Sequence, residues 1–275
     1  MKRILLGFWI LGLAAAPASA IEVDPMRLER SIPVQEASQG ELTLSNPAGK
    51  AVGVRVSVGA YRAFQPGLVF SSAETWLTLE PSSFTLAPGA STTVHVRVQP
   101  PPSIAQDTAG EYLAAIVIDQ LPVEPTTSSS TVTIVPRLAI PVYLRIQGRE
   151  KIDVEISDLT ASVSQAEAES TEGTPAPQLL RIDTVLKNHG TVHVRPVGTF
   201  ALFDAQKGTF LRAAPLGRTL PLLPSASLKV PAFLLLPPAG KYRLTLTLES
   251  GSPEALQKEI SFEITDDGKI VPEKP

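Results

Sequence analysis

Few side chains in this sequence have the type and spacing to do chemistry. There are three histidines, His95, His189 and His193, and no cysteine in 275 residues. Two histidines four apart bind a metal when a helix puts them on one face and a carboxylate completes the set. Here His189 sits in the turn composition Asn188-His189-Gly190, His193 follows at the start of an apolar segment, and no Glu supplies a zincin pattern. His95 alternates with valines along Val94-His95-Val96-Arg97-Val98. All three read as solvent-facing or turn residues. Thr265-Asp266-Asp267-Gly268 lacks the spaced oxygen ligands of a calcium loop and reads as a terminal turn. No nucleophile elbow, phosphate loop or dinucleotide fingerprint occurs. The lack of cysteine removes disulfides, thiolate metal sites, a Cys nucleophile and a lipid anchor on an N-terminal Cys. The sequence reads as that of a protein that is not an enzyme and has no cofactor or metal.

What remains is the scaffold. Basic residues such as Arg55, Arg62, Arg97, Arg137 and Arg145 are dispersed, and the net charge is −3. No stripe tracks a phosphate backbone, so nucleic acid is not an expected partner. Pro and Gly punctuate short segments rich in Val, Leu, Ile and Thr, and no window sustains a helical period. Alternation is clear over 92–98 and over 241–249, where Tyr242, Leu244, Leu246 and Leu248 share a face. Strands are predicted near 22–30, 41–45, 52–62, 74–79, 83–86, 91–99, 111–119 and 131–146, then near 151–159, 179–187, 192–203, 209–213, 227–235, 241–249 and 259–265. That is enough for an all-β chain of two tandem immunoglobulin-like β-sandwich domains. The expected domains are 21–148 and 149–275, with a polar stretch at 161–178 reading as an exposed loop within the second.

The first 20 residues read as a cleaved signal peptide. Lys2 and Arg3 precede the apolar Ile4–Ala16, and Ala18-Ser19-Ala20 supplies the small-residue cleavage pattern. No later apolar run is long enough to span a bilayer. The expected product is exported, periplasmic or secreted, with no stable membrane anchor after cleavage.

A weak internal repeat ties the halves together. Asn46-Pro47-Ala48-Gly49 precedes Val52–Val56 as Asn188-His189-Gly190 precedes Val192–Arg195. Leu86–Ser91 introduces a valine strand as Leu223–Ser227 introduces Leu228-Lys229-Val230. Gly110-Glu111-Tyr112 and Gly240-Lys241-Tyr242 each open a strand, as the tyrosine corner of an immunoglobulin-like sandwich does.

Segment 131–146 is the most informative. Val132, Ile134, Leu138, Ile140, Val142, Leu144 and Ile146 take the even positions, interrupted only by Pro136. Unbroken, it would extend about 50 Å at about 3.3 Å per residue, against about 20 Å for ordinary strands, so part overhangs the core or the strand breaks. Pro136 and Pro141 must each sit where no neighbour needs an N–H, at a free edge or a bulge. Two readings stand: a bent core strand leading into the linker, or an edge strand offered to another chain by strand addition.

The first half resembles the N-terminal domain of periplasmic pilus-assembly (PapD-like) chaperones. The resemblance runs through Ile21–Leu28, Gly40–Pro47, Trp76-Leu77, Pro81–Ser91 and the 131–146 strand, over roughly 21–147. It implies a periplasmic chaperone that binds fimbrial or other surface subunits by β-strand addition. Arg27 takes the family's first-strand anchor for a subunit's terminal carboxylate. The family's second anchor, a Lys, falls at Pro141, leaving Arg137 or Arg145 to substitute. The donor-strand hydrophobics map to Val132, Ile134 and Leu138. The first half also resembles the immunoglobulin-like module of WxL-interacting surface proteins. The alternative is a secreted or cell-surface structural or adhesive module with no chaperone activity.

Overall fold

The structure is a computed structural model that describes residues 21–34, 36–61, 70–123, 135–165, 178–217 and 220–273. The leader at 1–20 and the strand residues Val132 and Ile134 lie outside the described residues. Among the described residues, no helix is long and apolar enough to cross a membrane.

The first sandwich comprises β1 (Glu22–Asp24), β2 (Leu28–Ile32), β3 (Ser38–Ser45), β4 (Val52–Gly59), β5 (Ser71–Ser72), β6 (Leu77–Glu80), β7 (Ser83–Leu86), β8 (Ser91–Val98), β9 (Glu111–Leu121) and β10 (Arg137–Ile146). One sheet has the order β1-β3-β8-β6. The other runs β2-β10-β9-β4-β7, with β5 beside β9. The alternation read from the sequence holds. Val94, Val96 and Val98 of β8 are buried while His95 and Arg97 are exposed. Between the sheets lie Leu28, Leu42, Leu44, Ile116, Ile140 and Val142 with their neighbours.

The predicted first strand, 22–30, is two strands. β1 pairs antiparallel with β3, the chain bends at 25–27, and β2 pairs parallel with β10 in the opposite sheet. A chain end that crosses from one sheet to the other closes both sides of the core.

The second sandwich comprises β11 (Val154–Gln165), β12 (Gln178–Asn188), β13 (Val197–Asp204), β14 (Phe210–Pro215), β15 (Ser227–Leu235), β16 (Gly240–Glu249), β17 (Leu256–Ile264) and β18 (Ile270–Pro272). Its sheets are β11-β12-β15 and β14-β13-β16-β17-β18. Residues 161–165, expected in an exposed loop, extend β11 and pair with 178–182 of β12. Their apolar residues, Ala161 and Val163, are small and few, and β11 is an edge strand with one outward face, so the composition reads as loop.

The internal repeat is a repeated hydrogen-bond device. Asn46 is buried, and its Nδ2 donates to the carbonyls of Lys50, Leu86 and Ala87 at 2.8–3.2 Å, while Oδ1 accepts from the Ala48 N–H. Asn188, equally buried, donates to the carbonyls of Val192 and Leu222 at 2.9 Å and accepts from the Gly190 N–H at 2.8 Å. Each Asn ties the end of one strand to the turn that leads into its neighbour in the same sheet. The two strand-opening tyrosines differ in partner. Tyr242 donates to the Pro238 carbonyl at 2.7 Å, four residues upstream, whereas Tyr112 donates to the Asp107 carboxylate.

Replacing either Asn by Ala strips buried carbonyls of their donor, an omission costing about 2 kcal/mol. Asn46→Ala is therefore expected to lower the urea midpoint of the fluorescence of Trp76, the one tryptophan after residue 20. Asn188→Ala is expected to lower the far-ultraviolet transition of the second sandwich by a similar free energy.

Candidate functional site

Backbone bonds determine which flank each residue of β10 faces. The Gln120 N–H donates to the Pro136 carbonyl at 3.1 Å and the Ile146 N–H to the Gly110 carbonyl at 2.8 Å, so even-numbered residues face β9. In an antiparallel ladder the intervening residues turn their polar groups to the other flank. Tyr143 and Arg145 face β2, and Gln147 continues the series with its N–H on the Ile32 carbonyl at 3.0 Å. Arg137, Ala139 and Pro141 face the same way, but the β2 register begins at Val142↔Leu28. No strand among the described residues covers them. The upper half of β10 is thus an open edge, with the Arg137 and Ala139 N–H groups turned outward. Pro141, which has no N–H, stands where the β2 ladder stops, as the sequence required of it.

The side chains of β10 divide differently. Ile140, Val142, Leu144 and Ile146 are interred in the sandwich's own core, and Leu138 is half-buried against it. The expectation that this whole apolar series is offered to a guest is corrected from Ile140 onward. The odd-numbered side chains Ala139, Pro141 and Tyr143 lie on the outer face and line a groove of about 540 Å³. Ala115 and Val117 of β9 extend the floor, and Tyr61 and Pro221 wall it. Arg27, Arg137 and Arg195 stand at its rim.

Pro221 and Arg195 belong to the second sandwich, which packs against the outer face of the first. Tyr61, Leu113 and Tyr143 join the apolar cluster of the second sandwich, alongside Val194, Leu222 and Leu223. Beside that contact lies a buried polar cluster. The Glu111 carboxylate, at the head of β9 and 1 % exposed, accepts from the His193 N–H at 3.0 Å and from Nδ1 at 2.6 Å. Because the backbone N–H and Arg145 also donate to this carboxylate, Nδ1 carries the proton and donates as well. Arg145 Nε lies 3.5 Å from Glu111, and its Nη2 donates to the His193 carbonyl at 3.1 Å. The His193 ring lies against Tyr143, centroids 4.1 Å apart. Thr191 locks the linker by donating to the Arg149 carbonyl at 2.6 Å and accepting from the Lys151 N–H at 2.8 Å. A Cβ at Gly110 would collide with both Thr191 and Arg149.

Glu29, on β2 opposite Tyr143, joins the joint to the groove. Its carboxylate lies 2.9 Å from Arg27 Nε, 3.3 Å from Arg195 Nη2 and 3.6 Å from His193 Nε2. Burial alone raises its pKa, but the charges of His193, Arg195 and Arg27 outweigh that and hold it below the ordinary carboxylate value.

Of the residues singled out from the sequence, Arg27 and Arg137 come together at the groove. Arg137 is ion-paired there with Asp119 at 2.7 Å. Arg145 is engaged in the joint and is not part of the groove. His193, expected to face solvent or a turn, is 1 % exposed, because the loop before β13 is covered by the first sandwich. His95 and His189 do face solvent and pair with Glu41 and Glu155. Sequence reasoning missed Glu111, Glu29, Arg195, Tyr61 and Tyr143. One signal was available: a carboxylate at the head of the buried run Tyr112–Ile118 needs a partner from elsewhere in the chain. Among the described residues no group of three or more metal-ligating side chains forms.

Breaking a buried pair by removing one partner costs about 3 kcal/mol. Glu111→Ala is expected to cost that much and to make the linker at 147–153 a site of rapid limited proteolysis. For Glu29 the sign follows from its depressed pKa. Its contribution to docking is full above the ordinary carboxylate range, about pH 4.5, and is lost as pH falls through its lower docked value. Acid should therefore weaken docking only by what a partly exposed ion pair contributes, about 1 kcal/mol or less, so scattering profiles should show the sandwiches still docked as pH falls into the ordinary carboxylate range.

No family model matches the chain, and no curated protein does. Solved structures similar to it include the CupB2 chaperone of Pseudomonas aeruginosa, at 11 % identity and TM-score 0.43, covering 86 % of this chain and 98 % of that one. The class 5 fimbriae chaperone CfaA is similar at 10 % identity and TM-score 0.45, covering 87 % and 98 %. The SafB chaperone of Salmonella enterica, solved with the SafA pilin, is similar at 12 % identity and TM-score 0.44, covering 94 % and 96 %. All three of these solved structures are of chaperones.

Proposed function

We propose that this protein is an exported, periplasmic chaperone-like protein that captures fimbrial or other surface subunits by adding a strand to the open half of β10. The observation that carries the reading is the divided flank of that strand: among the described residues, 142–146 has a partner strand on both sides and 137–140 on one. A guest strand in the lane that β2 leaves empty would satisfy the Arg137 and Ala139 N–H groups, and its side chains would rest on the groove beside them. Arg27 and Arg137 are the site cations inherited from the sequence, and Arg195, reaching across from the second sandwich, joins them at the rim. Leu138, with Val132 and Ile134 beyond the described residues, would supply apolar contacts to the guest.

The alternative, a closed structural module, draws on the burial of Ile140–Ile146 in the protein's own core. One substitution separates the readings. Ala139 has its nitrogen on the open flank, so Ala139→Pro removes that donor without breaking the β9 ladder. The variant is expected to keep the wild-type melting temperature within about 1 °C, under the shift of a few degrees that about 1 kcal/mol would produce in a domain of this size. Capture of an extended apolar peptide should fall at least about tenfold, one lost main-chain bond plus a steric block. Unchanged capture would remove the strand-addition reading.

A further inference from the structure

Two of the arginines at the groove already hold an anion of the protein's own. Arg27 and Arg195, the cations at its rim from the two sandwiches, both point at one carboxylate, Glu29, at 2.9 and 3.3 Å. Glu29 is one-third exposed and lies on the outer face of β2, in line with the open lane of β10. Arg195 is held by more than this pair, since its guanidinium also lies over the Tyr143 ring, 5.3 Å from the centroid. Arg27 has 58 % of its side chain exposed, and Glu29 is the sole ion-pair partner it has among the described residues. A guest that brings a carboxylate to this rim therefore meets cations that are already satisfied. Like charges a few ångströms apart repel, and the guest's carboxylate and that of Glu29 compete for the same donors.

We infer that Glu29 is an autoinhibitory contact: a built-in carboxylate that occupies the Arg27–Arg195 pair in the empty protein and must release it when an anionic guest group binds. This rests on the groove being the guest site. Glu29 is no part of the Glu111–His193–Arg145 cluster that joins the sandwiches, so its displacement leaves them docked. Glu29 thereby sets a threshold, so that apolar strands without an anion dock at the open edge unaided, while a carboxylate must outcompete the resident one.

The test uses the mature chain and two synthetic peptides of alternating valine and threonine, identical except that one ends in a free carboxylate and the other in an amide. Affinities are measured by calorimetry at pH 7 and low salt. Glu29→Gln keeps an oxygen for Arg195 but removes the charge. It should bind the free-acid peptide about two- to fivefold more tightly than wild type, the range expected for relief of a partly exposed ion pair, with amide affinity unchanged. Glu29→Asp, which keeps the charge, should bind both peptides as wild type does. Glu29→Ala, a second neutral variant, should repeat the gain should the amide side chain disturb folding. Equal or weaker acid binding by both neutral variants, or an equal gain for acid and amide, overturns the inference. If Ala139→Pro still abolishes peptide binding in that case, strand addition stands without it. If neither peptide binds wild type or any Glu29 variant, the guest site and the inference fall together.

Discussion

The structure depends on a shortage of chain. The first strand spends Glu22–Asp24 on one sheet, bends, and has only Leu28–Ile32 left to line β10. Ten residues of β10 are therefore flanked by five of β2. Unpaired N–H and C=O groups on an exposed edge invite another chain, and folded proteins ordinarily blunt such edges. Here the device at the boundary is Pro141, which ends the β2 ladder without leaving a donor exposed, while no strand among the described residues covers the two donors above it. The even-numbered side chains bury the strand in its own core, so the edge is held straight and ready, and a guest need not order it.

The second sandwich sits against the outer face of this same sheet. Apolar contact among Tyr61, Leu113, Tyr143 and Val194 supplies attraction, but attraction of this kind has no direction. The Glu111–His193–Arg145 cluster supplies direction, because a buried carboxylate with three donors tolerates one orientation and is costly in any other. Gly110 lets the linker pass where any side chain would obstruct it. The consequence for the groove is that Arg195 and Pro221 are delivered to its rim at a set distance from Arg27. A site made from two domains is only as well formed as the joint between them.

The all-β, two-sandwich fold was legible because period-two alternation survives wherever one face meets solvent, as in β8 and β16, and because Asn46 and Asn188 do the same work in both halves. The edge at β10 was legible through Pro141, since a missing N–H is a constraint that no packing can override. Other features were hidden for physical reasons. The sheet crossing at 25–27 leaves the apolar pattern of 22–30 nearly continuous. Residues 161–165 pair through their backbone and carry small or polar side chains, with Val163 the one large apolar residue among them, so their composition reads as loop. His193 meets Glu111, and Arg195 meets Glu29, through a contact between sandwiches, and partners 82 and 166 residues apart leave no local trace.

Amide hydrogen exchange along β10 addresses the divided edge most directly. With no guest present, the amides of Tyr143 and Arg145, covered by β2, should exchange slowly, and those of Arg137 and Ala139 at rates near those of unpaired chain. Slow exchange at Arg137 and Ala139 in the free protein would mean that the molecule covers its own edge, and the account built on an open lane would be wrong.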